Sequence, residues 1–146
     1  MSSVQPANVV GRFCDAAQHN DVDGMTAALA ADAELVSPLF GRMVFRGRDD
    51  LRVLLGAVFG SLRGLQWVEF IGDGQIRVAV SQSRVAGVRI TDAMIVELDE
   101  SGQISRIRPH LRPWLALSLF ALVLGPRVAG HPGVIRRALR RKARRG

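Results

Sequence analysis

The hydrophobic pattern of this chain changes its period once, and that change limits the fold more than any other feature. Up to Phe59 apolar residues recur three and four apart, whereas from Trp67 onward they alternate. Val9, Val10, Phe13, Ala16 and Ala17 fall on one face of a helix over residues 8–18. Asp23-Gly24-Met25 opens a second helix over residues 25–31, with Asp21 or Asp23 suited to capping its free N–H groups. Residues 32–36 turn into a strand that Ser37-Pro38 breaks. Asp49-Asp50 then favour the positive end of a third helix, whose stripe is Leu51, Leu54, Leu55, Val58 and Phe59 and which Gly60 or Gly64 ends. The alternating part reads as strands over residues 67–71, 75–84, 88–98 and 103–111. Gly72-Asp73-Gly74, Ala86-Gly87 and Asp99-Glu100-Ser101-Gly102 form the turns. Helices first and an antiparallel meander afterwards define an α+β domain.

The 146 residues fit one domain, and a hydrophobic content of 48% can fill its core. One cysteine, Cys14, allows no intrachain disulfide. It lies beside Phe13 and Ala16-Ala17 with only Arg12 as a cationic neighbour, and is expected to be a buried, inert thiol. Residues 1–6 lack the basic start and apolar core of a signal peptide, so a cytoplasmic location is expected. A composition rich in Arg, Ala, Gly and Val with a single Lys points to a GC-rich bacterial genome.

Charge is informative once it is located. Residues 136–146 hold seven of the 20 Lys and Arg and none of the 13 acids, which leaves 13 against 13 in the rest. A neutral body with a basic end argues against nucleic acid as a partner. Ahead of that end, Trp114 to Leu124 is an almost wholly apolar run of 11 residues, too short for a bilayer span of about 20. Such a run can cap a pocket, form a dimer contact or lie on a membrane. The basic run from Arg136 to Arg145 adds a weak attraction to anionic lipid, about 1 kcal/mol per charge, and leaves a peripheral membrane location open. His19, His110 and His131 lack the spacing of a metal site and no Gly-rich phosphate loop is present, so neither metal nor cofactor is expected.

The order helix, helix, strand, Ser37-Pro38 break and Gly47-Arg48-Asp49 step, with Asp99-Glu100-Ser101-Gly102-Gln103-Ile104 at the last hairpin, resembles the nuclear-transport-factor-2-like superfamily in its SnoaL-like and ketosteroid-isomerase-like branches. The resemblance covers roughly residues 7–112. It implies a curved antiparallel sheet wrapped with the N-terminal helices into a cone around an apolar pocket, commonly as a homodimer. On that basis residues 1–112 are the cone domain, 113–129 an apolar C-terminal helix and 130–146 a basic tail.

The resemblance also says which chemistry is missing. Ketosteroid isomerases use a Tyr, an Asp general base and a protonated Asp as oxyanion donor; the matching positions here are Phe13, Ser37 and Met94. None supplies a base or a donor of that kind. SnoaL-like cyclases commonly place a His and a carboxylate where this chain has Ile107 and Pro109. Limonene-epoxide-hydrolase-like relatives need an Arg and an Asp two apart on a strand, but Arg89 and Asp92 are three apart.

One carboxylate survives. Period 2 puts Asp92, Met94, Val96 and Leu98 on one strand face. If that face lines the pocket, Asp92 is an acid or base with a raised pKa; otherwise it is a solvated or Arg-paired strand-end group. The hairpin register decides its partner. With Leu98 opposite Ile104, His110 lies across from Asp92 as a dyad partner. With the longer loop usual in the isomerase family, Leu111 does, and that register is expected. Trp67 is read as pocket wall or core. The function expected is therefore binding of a small hydrophobic molecule, steroid, polyketide or lipid-like. The alternatives are an isomerase, cyclase or hydratase that relies on Asp92, and a peripheral membrane or interaction protein acting through the C-terminal segment.

Overall fold

The computed structural model describes residues 8–140. Helix α1 (Val9–Gln18) begins where the Asn8 side chain accepts the Gly11 amide at 3.0 Å, and it buries the apolar face named above. Helix α2 (Val22–Ala27) is capped in the same way by Asp21, which accepts the Gly24 amide at 3.0 Å. It starts and ends earlier than the sequence suggests, because the chain is already extended at Leu29. Strand β1 (Leu29–Val36) takes over residues 29–31 and buries Leu29, Ala30, Ala33 and Leu35. Strand β2 (Val44–Arg46) returns antiparallel to it, and helix α3 (Arg48–Ser61) follows.

Strands β3 (Arg63–Ile71), β4 (Ile76–Val85) and β5 (Val88–Leu98) form the meander. The two-residue turn between β4 and β5 has positive φ at both positions, 47° at Ala86 and 79° at Gly87, the twist that joins adjacent strands tightly. The fourth alternating segment is divided. Strand β6 (Ile104–Arg108) and the short β7 (Leu111–Arg112) are separated by Pro109-His110, since proline gives no N–H to a ladder. The sheet order is β2-β1-β6-β5-β4-β3, with β7 also on β5. The β1–β6 pair is parallel, so the sheet is mixed rather than purely antiparallel. Register shifts in β1–β6, β3–β4 and β5–β6 bend it, and α1, α2 and α3 fill the concave side.

Helix α4 (Trp114–Ala129) contains the whole apolar run and packs on α3 and the β4–β5–β7 region. The segment read as a basic tail holds another helix, α5 (Pro132–Leu139), with proline in its first turn. Val134 and Ala138 of α5 are buried in the main core. Arg137 donates twice to Asp50 of α3, Nε and Nη2 each at 2.8 Å, so residues 132–139 are docked structure. Residues 141–145, the rest of the basic run, lie outside the described residues. No single described helix is long and apolar enough to cross a membrane. Residues 116–129 and 132–139 reach that composition only jointly, across a 112° bend.

Candidate functional site

A cavity of about 260 Å³ opens between the concave face of the sheet, α3 and α4. Leu54, Leu55 and Phe59 of α3 form one wall and Ile90, Asp92 and Met94 of β5 the opposite one. Phe120, Leu124 and Val128 of α4, with Ile135 of α5, close a third side. The loop Pro38–Leu39–Phe40 edges the opening, where Phe40 is 64% exposed.

The polar side chains in this lining are Ser37, Ser83 and Asp92. Ser37 is committed to the loop, its hydroxyl oxygen accepting the Leu39 and Phe40 amides at 3.2 and 3.3 Å. Asp92 lies opposite Ser81 on β4 and Leu111 on β7. Its Oδ1 accepts the backbone amide of His110 at 3.1 Å. Asp92 is largely buried and borders the mainly apolar cavity, so its charge is poorly solvated. That burial pushes its pKa up to about 7, against the smaller opposing effect of the His110 amide. A carboxyl poised there can hold or release a proton near neutrality.

The register contains both sequence alternatives. Leu98 pairs with Ile104 at the hairpin, then Ser105 is bulged out, and from Glu97–Arg106 onward the longer-loop register holds. Leu111 therefore faces Asp92. The His110 ring is exposed and its Nδ1 lies 3.1 Å from the Arg108 carbonyl, so no imidazole–carboxylate dyad forms; its backbone amide serves Asp92 instead.

Met94, Ile107, Leu111 and Ser37 border the cavity with Asp92. Phe13 and Trp67 do not. Phe13 is fully buried on α1, edge-on to Phe59 with ring centroids 6.3 Å apart. Trp67 is core too, its indole N–H donating to the Cys14 carbonyl at 2.8 Å. Phe13 thus backs the cavity-lining Phe59. Burial, and after it the Asp92 carboxylate, push the Cys14 thiol far up, as expected of an unreactive cysteine.

Sequence reasoning missed Ser83 and the α5 part of the wall, whereas a pocket cap was among its readings of the apolar run in α4. Ser83 carries a readable signal: period 2 from the buried Ala79 places Ser81 and Ser83 on the inward face of β4. Ile135 was hidden inside a segment whose arginines dominate its composition.

A curved sheet whose concave side encloses a mainly apolar cavity is the architecture of the nuclear-transport-factor-2-like cone. The family comparison agrees: residues 10–107 match the SnoaL-like domain model, and the chain belongs to that family. A comparison with curated proteins finds no match. Among solved structures, the chain is similar to an uncharacterized protein with a cystatin-like fold from Silicibacter pomeroyi, with 20% identity, TM-score 0.84 and coverage of 94% of this chain and 96% of that one. It is also similar to a steroid delta-isomerase from Pseudomonas aeruginosa, at 20% identity and TM-score 0.76, covering 90% and 99%. The epoxide hydrolase/cyclase-like enzyme SalBIII, of pyran ring formation in salinomycin, gives 16% identity and TM-score 0.60, covering 71% and 88%. At these identities the likeness is one of fold.

Proposed function

We propose that this protein binds a small hydrophobic molecule in the cavity behind Asp92, with that carboxyl as its polar anchor. The observation that carries this reading is one ionisable side chain set in a mainly apolar, concave lining. Sites of this make-up fix orientation with a few polar groups and gain affinity from apolar contact. At about 260 Å³ the cavity lies just below the ~300–1,000 Å³ range of drug-sized sites, which favours a compact ligand. The test uses the neutral fluorophore N-phenyl-1-naphthylamine with the wild type and with Leu111→Trp, which adds bulk to the cavity lining at a half-buried position. Saturable binding that weakens at least tenfold in the folded variant is expected. No saturable binding, or binding unchanged in a variant with native circular dichroism, overturns the reading.

A second reading has its own observation, the Asp92 pKa near 7: an isomerase, cyclase or hydratase in which Asp92 moves a proton. With menthone in D₂O, the Asp92 carboxylate would take the α-proton from carbon and return a deuteron. Deuterium incorporation above the buffer rate, rising through pH 7 and lost in Asp92→Asn, supports it. Incorporation equal in the two proteins removes it.

We further propose a homodimer through the outer face of the sheet. The register aligns Ile71, Val78 and Ile95 across β3, β4 and β5 on the side away from the helices, and Ile71 and Ile76 are more than half exposed. Ile71→Arg should then convert a dimer to a monomer in sedimentation velocity, and a monomeric wild type discards the idea.

A further inference from the structure

Ser83 is a buried residue that borders the cavity, and among the described residues its hydroxyl has no protein partner. It is 6% exposed on β4, between β3 and β5. Among the described residues no donor or acceptor bonds its side chain, whereas Ser37 is used twice by its own loop. Ser81, the other inward serine of β4, lies outside the lining. A strand position on the core side is normally filled by an apolar residue, as at Ala79 and Val85, because an unpaired buried hydroxyl is destabilising. Serine at this point is explained when something in the cavity completes its hydrogen bond.

The register places that group relative to Asp92. Ser83 lies opposite Ile90 and Ser81 opposite Asp92, so Ser83 and Asp92 are diagonal neighbours on one sheet face. Such pairs are separated by about 7 Å, too far for one side chain to satisfy the other and close enough for both to reach one small molecule. We infer that the cavity takes a compact apolar carbon skeleton bearing two oxygen functions, a hydroxyketone or a diol, one oxygen bonded by the Ser83 hydroxyl and the other by Asp92. This inference rests on the cavity's being a ligand site and adds the ligand class. Ser83 is then the residue that separates doubly from singly oxygenated ligands.

The test uses two probes of one skeleton, menthol with a single hydroxyl and p-menthane-3,8-diol with two, titrated calorimetrically into the wild type, Ser83→Ala and Ser83→Thr. In an apolar cavity lacking a partner, the second hydroxyl weakens binding by its desolvation. With Ser83 and Asp92 both engaged, the diol should bind about tenfold tighter than menthol. Ser83→Ala, with native circular dichroism, should abolish or invert that preference, and Ser83→Thr, which keeps the hydroxyl, should retain it. Menthol binding at least as tightly as the diol in the wild type overturns the inference, as does a diol preference that survives Ser83→Ala; the cavity reading stands in both cases. If neither menthol nor the diol nor the fluorophore binds, the cavity reading fails and this inference falls with it.

Discussion

Replacing Asp92 by Asn removes the ionisable group from the cavity lining and keeps its shape, including an oxygen that can accept the His110 amide now held at 3.1 Å. The consequence for stability follows from the two pKa values, 3.8 for the free side chain and about 7 in the fold. Because the folded value is the higher, the native protein retains the proton over a range in which the unfolded chain has already released it. Stability associated with Asp92 is therefore fully present below the unfolded value. It declines by about 1.4 kcal/mol per pH unit as pH rises, and it levels off above the folded value. The whole gap is worth about 4 kcal/mol, and between pH 5 and pH 8 the wild type should lose about 2–3 kcal/mol relative to Asp92→Asn. Urea unfolding of both proteins at pH 5, 6, 7 and 8 measures this. Every other titration, including the opposite contribution of Asp99, whose pKa is lowered by the Ser101 hydroxyl and the loop amides, is shared and cancels in the difference. A difference that stays flat across the range would mean that Asp92 is well solvated when ionised, and the argument for a dry anchor would fail.

Ending the chain at Gly130 removes Val134 and Ala138 from the core and Ile135 from the cavity wall. A loss of about 2–4 kcal/mol is expected from the apolar surface uncovered, read as a lower urea midpoint; an unchanged midpoint would make α5 a dispensable tail. Arg137→Ala leaves the Asp50 carboxylate, whose side chain is 10% exposed, without its bidentate partner. Amides of residues 132–139 should then exchange faster with D₂O while α1 stays protected, and uniform protection would show that the ion pair does not hold α5. Trp67→Phe deletes the indole donor to the Cys14 carbonyl and should cost about 1–3 kcal/mol for an orphaned buried acceptor and lost volume, measured by thermal unfolding. Vesicle binding through Arg136 and its basic neighbours should require anionic lipid and disappear in high salt; binding that persists in high salt would assign the attraction to apolar insertion of α4.

The helices and the meander were legible because their periodicities are uncontested: α1 and α3 carry helical stripes, and β5 runs over the whole alternating segment between two turns. The region around Leu29-Ala30-Ala31 was not. Alanines favour helix locally, but Leu29 pairs with Ile104 of β6, a contact 75 residues away that settles the strand. Parallel pairing of that kind leaves no local mark. The Asp92 partner was undecidable for a related reason: the hairpin pairs Leu98 with Ile104, which alone would set His110 opposite Asp92, and the bulge at Ser105 then moves the register by one residue and places Leu111 there.

The C-terminal segment shows how a correct local reading can mislead. Its arginines are concentrated as the composition indicates, yet Pro132, Val134 and Ala138 form a short amphipathic helix within them, and the neutral body provides Asp50 as the counterpart of Arg137. Charge that looks like a solvated tail in composition is thus partly a fastener in the fold. The apolar run of α4 covers the cavity from one side, and α5, turned back by the sharp bend after α4, pins the edge of that cover to α3. The third side of the cavity is consequently made of the last elements of the chain, outside residues 10–107 that the family model matches. On the proposed ligand-binding reading, preference should therefore depend on the α4 and α5 side chains, Phe120, Leu124 and Ile135, as much as on the sheet.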